Sequence, residues 1–382
     1  MNKIPDLKLL FIDYNIPYLL NHSDVFIGGA SVRLLAFVNG LIYHGSSVGV
    51  LTWKGSKEFI GSNPGFEMIE TYHKEYGLKY LRWIYYRIPG LLFSIKNYKP
   101  DFLIQRCAGF DTGIIAIISK ILRIPFVYMV ANDIDVDDRI NSSLSFRNKM
   151  FYKIGIKQAA IIVCQNEYQQ TKLKDKFPDK IIIKIKNPFY TGIKTGLLLN
   201  NERQYFAWIG QFTYQKNLAA FYRIAASNKQ YKFIIAGKSD TTPDPETSHA
   251  IINLRTIDNV EFVGNIKRDG VFPFLSKSYA LINTSRYEGF SNTFLEAFSV
   301  ATPVISLQVN PDNIFNKYRV GYLTDEQNIS KIFSECIELD YQKSKTYFSK
   351  YMEENHNYRI NAKLLADTLL TYKENLHSSN SV

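Results

Sequence analysis

The sequence predicts an α/β protein built from two doubly wound parallel-sheet domains, and three observations carry that prediction. Short apolar runs alternate along the chain with amphipathic or polar stretches of helical length, the order that successive βα units require. The length of 382 residues exceeds the about 250 to 300 that one hydrophobic core usually supports. Strand-to-helix passages rich in Gly and polar residues recur at Phe26 to Ser31, Phe206 to Leu218 and Tyr287 to Thr293, and in open α/β sheets ligands bind beyond the carboxyl ends of strands.

Taken in order, candidate strands fall near residues 8–12, 47–51, 102–105, 126–130, 160–164 and 181–185 in the first half. In the second half they fall near 205–209, 231–236, 260–263, 280–283 and 303–306. Parallel, doubly wound sheets follow from helix-length spacers between them. The polar stretch from Asn187 to Gln204, opening with Asn-Pro, is the best boundary. It divides the chain into a domain at 1–187, a second at 188–355 and a terminal helix at 356–382. Helices are expected from about Glu326 onward, and Ser378 to Val382 is a polar tail expected to fray.

Leu9 to Asp13 reads as the first strand, and FIGGAS at Phe26 to Ser31 leads into an apolar helix through Val32, Leu35, Ala36, Val38, Leu41 and Ile42. Gly28 and Gly29 therefore sit in a strand-to-helix loop; a bare glycine pair is usually only a turn, and the full dinucleotide fingerprint is missing. The second-half strand Phe206 to Ile209 runs into Gly210 and a polar loop carrying Lys216. Asn217 then caps a helix whose Leu218, Phe221, Tyr222 and Ala225 recur at helical spacing. The plain alternative for Lys216 is an ordinary solvated lysine.

Tyr287 to Ile305 reads YEGFSNTFLEAFSVATPVI and places two acids, Glu288 and Glu296, around the mouth of one helix. Ala280 to Asn283 before it and Pro303 to Ser306 after it read as buried strands. A helix that opens at such a point offers N–H groups and a positive dipole end to an anion, and phosphate is the natural guest. Gly289 permits close backbone approach, and Ser291, Asn292 and Thr293 are good N-caps, so the helix is expected to begin near Thr293. Thr293 and Glu296 also have the spacing of a capping box, in which Glu296 would bond only its own helix end. A hydrolytic acid pair is disfavoured, because eight helical residues at about 1.5 Å rise separate the carboxyls by roughly 12 Å.

Global properties narrow the partners. The formal charge is +11, with 46 Lys and Arg against 35 Asp and Glu, which attracts anions generally. Neither a zinc finger, an RRM signature nor a basic recognition helix is present, so nucleic acid is the weakest of the anionic partners. Leu78 to Lys99 mixes basic residues with Trp83, Tyr85, Tyr86, Leu91 and Phe93; it reads first as a core-packed helix with a solvated basic side, and alternatively as an interfacial helix on an anionic membrane surface. Three widely spaced cysteines, Cys107, Cys164 and Cys336, suggest neither a disulfide framework nor a zinc cluster. With no apolar run long enough for a signal-peptide core or a membrane span, a cytoplasmic protein is expected, with the inner face of the plasma membrane as its peripheral alternative. The acids at Asp135, Asp137 and Asp138 read as a solvated loop, and the histidines show no metal-ligand spacing.

Glu288, Gly289, Phe290, Asn292, Glu296, Ala297, Thr302, Pro303 and Val304 resemble the signature of retaining glycosyltransferases with the GT-B fold, glycosyltransferase family 4 (glycosyl transferases group 1) in particular. The resemblance is good from about Phe206 to Gly321 and fainter before it. It implies two Rossmann-like domains with an interdomain cleft, the donor nucleotide on the second, the acceptor on the first, and the last helix crossing back to the first domain. It implies further that Glu296 grips the donor ribose, that Glu288 faces the donor sugar, and that the turn Gly289, Phe290, Ser291, Asn292 and Thr293 holds the diphosphate. The loop after Gly210 would supply a lysine, matched by Lys216, and an arginine, where this chain has Gln211. Gln211 donates a hydrogen bond without charge, and charge-assisted bonds are about twice as strong; Arg286 or Lys238 are candidates to replace the missing cation. Gly28 and Gly29 would close over the phosphates, and Asn265 is counted with the donor-binding residues. Arg106, Asn132 and Asp133, at strand ends of the first half, are placed to meet the acceptor.

The activity implied is retaining transfer of a sugar from a nucleotide-sugar donor to a carbohydrate or lipid-linked saccharide acceptor, with no metal or other cofactor, in bacterial surface polysaccharide synthesis such as lipopolysaccharide or capsule. Catalysis is then mainly electrostatic, with Lys216 and the helix N-terminus stabilising the departing diphosphate and Glu288 at the sugar. A GT-B nucleotide-sugar 2-epimerase and a noncatalytic GT-B partner protein are the alternatives.

Overall fold

The computed structural model describes residues 7–21, 29–79, 81–190, 202–239 and 242–379. Two compact units result, one formed by Met1–Tyr190 with His356–Val382 and the other by Thr191–Asn355.

In the first unit seven parallel strands, β1 (Lys8–Ile12), β2 (Ser47–Thr52), β3 (Glu67–Glu70), β4 (Phe102–Arg106), β5 (Phe126–Met129), β6 (Ile161–Cys164) and β7 (Ile181–Lys184), form a sheet of order β3-β2-β1-β4-β5-β6-β7. The order reverses between β1 and β4, where Leu9 pairs with Phe102, so the carboxyl ends of those strands are a topological switch point. Its helices are α1 (Ile16–Leu20), α2 (Gly29–Tyr43), α3 (Ser56–Ile60), α4 (Ile88–Tyr98), α5 (Phe110–Leu122), α6 (Ile140–Ser143), α7 (Phe146–Gln158) and α8 (Glu167–Lys176). Alternate strand residues face opposite sides. Leu9, Phe11, Val50 and Ile104 pack with α2 and the C-terminal helix Tyr358–Ser379, whereas Leu10, Ile12, Leu103 and Tyr128 pack with α4, α5, α7 and α8. The close approach of the C-terminal helix depends on Gly40, because a Cβ there would lie 2.4 Å from the Tyr358 carbonyl oxygen and 2.5 Å from the Ala362 Cβ.

In the second unit β8 (Tyr205–Ile209), β9 (Phe233–Ala236), β10 (Val260–Gly264), β11 (Ser278–Asn283), β12 (Val304–Ser306) and β13 (Gly321–Leu323) are again all parallel, in the order β10-β9-β8-β11-β12-β13. Helices α9 (Leu218–Ser227), α10 (Pro245–Leu254), α11 (Arg268–Ser276), α12 (Asn292–Ser299), α13 (Ile314–Lys317), α14 (Ile329–Ile337) and α15 (Tyr341–His356) connect and cover them. Phe206, Trp208, Phe221, Phe233 and Phe333 make an aromatic core on one face of this sheet, each burial worth about 1.5 to 3 kcal/mol. A buried cation ties the amino ends of β11 and β12. Arg203 donates from Nη1 to the carbonyls of Leu275 (3.1 Å) and Ser278 (2.9 Å) and to Thr302 Oγ1, and from Nη2 to the Val300 carbonyl (2.9 Å). Burial pulls its pKa down to about 10.

Sequence reasoning missed β3 and β13. Both are edge strands: EMIE carries a glutamate at each end and GYL is three residues long, so neither shows the buried apolar run that marks the inner strands.

Candidate functional site

In the second unit Gly210, Gln211 and Lys216 follow β8, and the stretch from Glu288 to Glu296 follows β11. Beyond β8, Gly210 N donates to the Ala236 carbonyl at 3.1 Å, and Gly237 N donates to the Gly264 carbonyl at 2.8 Å. The loops after β8, β9 and β10 are thus laced together. Gly237, at φ 151°, tolerates this only without a side chain, since a Cβ would sit 1.9 Å from the Gly210 oxygen. Gln211 follows in this loop partly exposed, and Asn265 lies exposed just past β10.

Lys216 ends a short 3-10 turn, Tyr214–Lys216, whose position is fixed from below. The Trp208 indole donates to Thr284 Oγ1 at 3.1 Å, and that hydroxyl donates to the Lys216 carbonyl at 2.7 Å. The Gln215 side chain donates to the Tyr287 carbonyl at 2.9 Å, and Arg286 N donates to the Gln215 carbonyl at 2.9 Å. The loop bearing Lys216 and the loop bearing Glu288, 72 residues apart in sequence, are therefore sewn into one piece. Across this seam the Lys216 ammonium donates to Glu288 Oε1, which also accepts from Ser285 Oγ at 3.0 Å. Both of those bonds fall on Oε1. Asn217, at φ 53°, caps α9 by accepting from Ala220 N at 3.2 Å.

Helix α12 starts at Asn292, one residue before the expected Thr293, with Ser291 at the N-cap position and no side-chain capping bond. Ser291 and Thr293 hydroxyls bond each other at 2.8 Å. The capping-box reading of Glu296 does not hold: its Oε1 accepts from Arg268 Nη1, at the start of α11. Both charges are largely withdrawn from water, with side-chain exposures of 6% for Glu296 and 22% for Arg268. Arg268 was missed by sequence reading; the signal was a cation opening the helix whose register packs against α12. Phe290 is buried against Phe294, with ring centroids 6.3 Å apart, so only its backbone is left for a ligand. Of the two cations considered as replacements for the charge missing at Gln211, Arg286 is committed elsewhere. It donates to Glu246 Oε1 at 2.6 Å and lies 3.8 Å over the Tyr214 ring.

In the first unit the predicted residues are held by partners within the fold. Gly28 lies outside the described residues, and Gly29 is the first residue of α2. Arg106 does not stand open at its strand end: Nη2 donates to Asp13 and to Ser31 Oγ (2.7 Å). Asp13, which also accepts from Asn15 N at 2.7 Å, is the residue that fastens the end of β1, and a lone acid after a buried strand was the available signal. Asn132 caps a 3-10 turn, Asp133–Asp135, and Asp133 Oδ1 accepts from Asn166 Nδ2 and Gln169 Nε2, both at 2.9 Å. Burial pushes the Asp133 and Asp135 carboxyls up to about 6. Asp135 is not a solvated loop acid, because Oδ2 accepts from Asn132 N at 2.9 Å and Ala131 N at 3.2 Å. Beneath them Arg33, 4% exposed, donates to the Val130 carbonyl at 2.8 Å. Burial and the neighbouring Arg106 lower its pKa to about 10.

Residues 203–340 match the family model described as glycosyl transferases group 1, and the two parallel sheets with flanking helices are the GT-B fold. Particular relatives follow. An uncharacterized glycosyltransferase of Methanocaldococcus jannaschii is 29% identical over 238 residues, covering 56% of this chain and 57% of the relative. An uncharacterized 42.6 kDa protein in the cps region of Klebsiella pneumoniae is 25% identical over 178 residues, covering 45% of each. The chain thus spans about half the length of these relatives. Among solved structures, sucrose-phosphate synthase from Thermosynechococcus elongatus superposes with a TM-score of 0.69 at 15% identity, over 97% of this chain and all of that one (100%). A TarM variant from Staphylococcus aureus, in complex with fondaparinux, α-GlcNAc-glycerol and UDP, gives 0.67 at 11% identity over 97% and 99%. UDP-GlcNAc 2-epimerase from Neisseria meningitidis, bound to UDP-GlcNAc, gives 0.59 at 15% identity over 96% and 100%.

Proposed function

We propose that this chain is a retaining, metal-independent glycosyltransferase of family 4 type that moves a sugar from a nucleotide diphosphate to a saccharide or lipid-linked saccharide hydroxyl. The observation that carries the reading is the Lys216–Glu288 pair beside the α12 N-terminus, with Glu296 one helix turn further in and partnered by Arg268. That grouping offers a cation and helix N–H groups to a diphosphate. It also offers one carboxylate to the sugar and another to ribose hydroxyls. In the reaction the anomeric C–O bond to the diphosphate breaks, the bond to the acceptor oxygen forms on the same face, and the acceptor proton passes to the leaving diphosphate. Lys216 and the α12 N-terminus oppose the charge that grows on the leaving group, and Glu288 acts at the sugar. Arg106, Asn132 and Asp133 mark the acceptor side, in the first unit. Similarity to a protein of a cps region supports a capsule or other surface polysaccharide as the product.

The test is a panel of UDP-, GDP- and ADP-sugars, read first as a rise in Tm, because bound donor stabilises the native state by mass action. The donor that shifts Tm is then incubated with candidate acceptors. Glu288→Ala should abolish transfer with Tm unchanged; normal turnover in that variant would overturn the assignment. The likeness to a UDP-GlcNAc 2-epimerase keeps an isomerase as the second reading, and conversion of donor to its epimer with no acceptor present would select it.

A further inference from the structure

We propose that the cavity between α13 and α15 in the second unit binds an anionic sugar, a saccharide ring that carries a phosphate or a carboxylate. The cavity measures about 640 Å³, within the roughly 300 to 1,000 Å³ of small-molecule sites. Pro303, just before β12, and Gly321, which opens β13, are among its lining residues. It therefore lies toward the amino ends of those strands, whereas the proposed donor residues follow the carboxyl ends of β8 and β11. A glycine shapes it, because a Cβ at Gly321 would lie 2.3 Å from the Val304 carbonyl oxygen and 2.7 Å from the Phe315 ring. Tyr318, which follows α13 and packs on Tyr351 with 4.7 Å between ring centroids, lines it together with Tyr347 of α15.

Charge and hydrogen-bonding capacity select the ligand. Lys317, Arg319 and Lys343 line the cavity with a single acid, Asp340. That acid is occupied: its Oδ1 accepts from Gln342 N and Lys343 N, both at 3.1 Å, and its Oδ2 lies 3.5 Å from the Lys343 ammonium. Lys317 uses one of its three donors on the Asp312 carbonyl at 2.7 Å. Arg319 meets no carboxylate among the described residues, and its guanidinium lies 5.4 Å over the Tyr347 ring. An anion is the partner that this excess of positive charge lacks. The uncharged groups call for a polyol. Tyr318, Tyr322, Tyr347 and Ser344 bring four hydroxyls, none of them hydrogen-bonded to a protein group among the described residues, although Ser344 is only 8% exposed. Polar groups so far withdrawn from water ordinarily have partners, and the hydroxyls of a sugar both donate and accept. A nucleobase is disfavoured, because the face of Tyr347 on which it would stack already carries Arg319.

The experiment is titration calorimetry of the full chain with glucose 6-phosphate and with a hyaluronan hexasaccharide. Inorganic phosphate and maltohexaose are the controls, an acid without the sugar and a sugar without the acid. At least one anionic sugar should bind about 10-fold or more tightly than either control and lose affinity as salt is added. Tighter binding of glucose 6-phosphate marks a free sugar phosphate as the ligand, and tighter binding of the hexasaccharide marks a saccharide chain. Arg319→Met with Lys343→Met, both exposed, should weaken that binding about 10-fold or more with unchanged Tm. Ser344→Ala with Tyr322→Phe should narrow the gap between the anionic sugar and inorganic phosphate; if this pair does not fold, the charge pair carries the test alone. Lys216→Met should leave binding at the cavity unchanged, and the charge pair should leave the Tm rise produced by a nucleotide sugar unchanged, so failure here and failure of the donor assignment show in different measurements. Binding of neither anionic sugar, a control that binds as tightly, wild-type binding in the folded charge pair, an unchanged gap in the folded hydroxyl pair, or a loss in Lys216→Met instead would each overturn the proposal.

Discussion

Replacing Lys216 by Met tests the proposed donor site at the cation bonded to Glu288. The ammonium bonds Glu288 Oε1 with side-chain exposures of 19% and 12%, so the pair is mostly but not fully shielded from water. At about 4 Å and an effective dielectric near 20, a lysine attracts either the carboxylate or a phosphate oxygen by about 4 kcal/mol. Because the ammonium already serves Glu288, a diphosphate gains only what sharing leaves, closer to a charge-assisted hydrogen bond of about 1.5 to 3 kcal/mol. At about 2 kcal/mol the Kd for UDP, or for the nucleotide the panel selects, should rise about 30-fold. Titration calorimetry at low and high salt measures it. The difference between wild type and Lys216→Met should shrink at high salt, and Lys216→Arg should recover part of the loss. A Kd for Lys216→Met within about 2-fold of wild type at low salt would refute the electrostatic argument, since that is less than about 0.5 kcal/mol.

Other consequences can be measured on the free protein. Arg268→Leu strands the Glu296 carboxylate, 6% exposed, and should cost about 3 to 5 kcal/mol in urea unfolding, most of it recovered when Glu296→Leu is added; an unaffected single variant would refute the buried pair. Gly40→Leu pushes atoms into the Tyr358 carbonyl and Ala362, so it should cost at least about 1 to 3 kcal/mol and remove hydrogen-exchange protection from the C-terminal helix first. Asp133 and Asp135 have folded pKa values near 6, raised by burial. The native state thus binds protons more tightly than the unfolded chain, and these acids cost stability when ionised. That cost is present above pH 6 and is relieved as pH falls toward 4. Replacing both by Asn should therefore raise Tm relative to wild type at pH 7.5 more than at pH 5, and a difference that grows toward low pH would contradict the sign.

How much the sequence could say depended on whether the relevant physics is local. Inner strands such as Leu9 to Ile12 and Phe126 to Met129 announce themselves, because a parallel strand covered on both faces must be apolar throughout. Asn217 as a cap and the turn into α12 were legible for the same reason: a helix start needs a short-range partner or a glycine within a few residues. Edge strands β3 and β13 were not, since half their surface is free to be polar. At the site, the sequence named Lys216, Glu288 and Glu296 but could not say what each touches. Their partners come from elsewhere in the chain: Glu288 meets Lys216 across 72 residues and Glu296 meets Arg268 across 28. The same holds for Arg106, whose pairing with Asp13 spans 93 residues, and for Arg203, held by carbonyls of three later segments. It holds also for the residues before α4, whose pattern read as an inward-packed helix and whose apolar side chains the fold leaves outside. Periodicity and capping are set by neighbours along the backbone, so the sequence alone determined the elements. Which charge is paired and which apolar face is covered depends on what the sheet order brings alongside, and only the tertiary structure decides that.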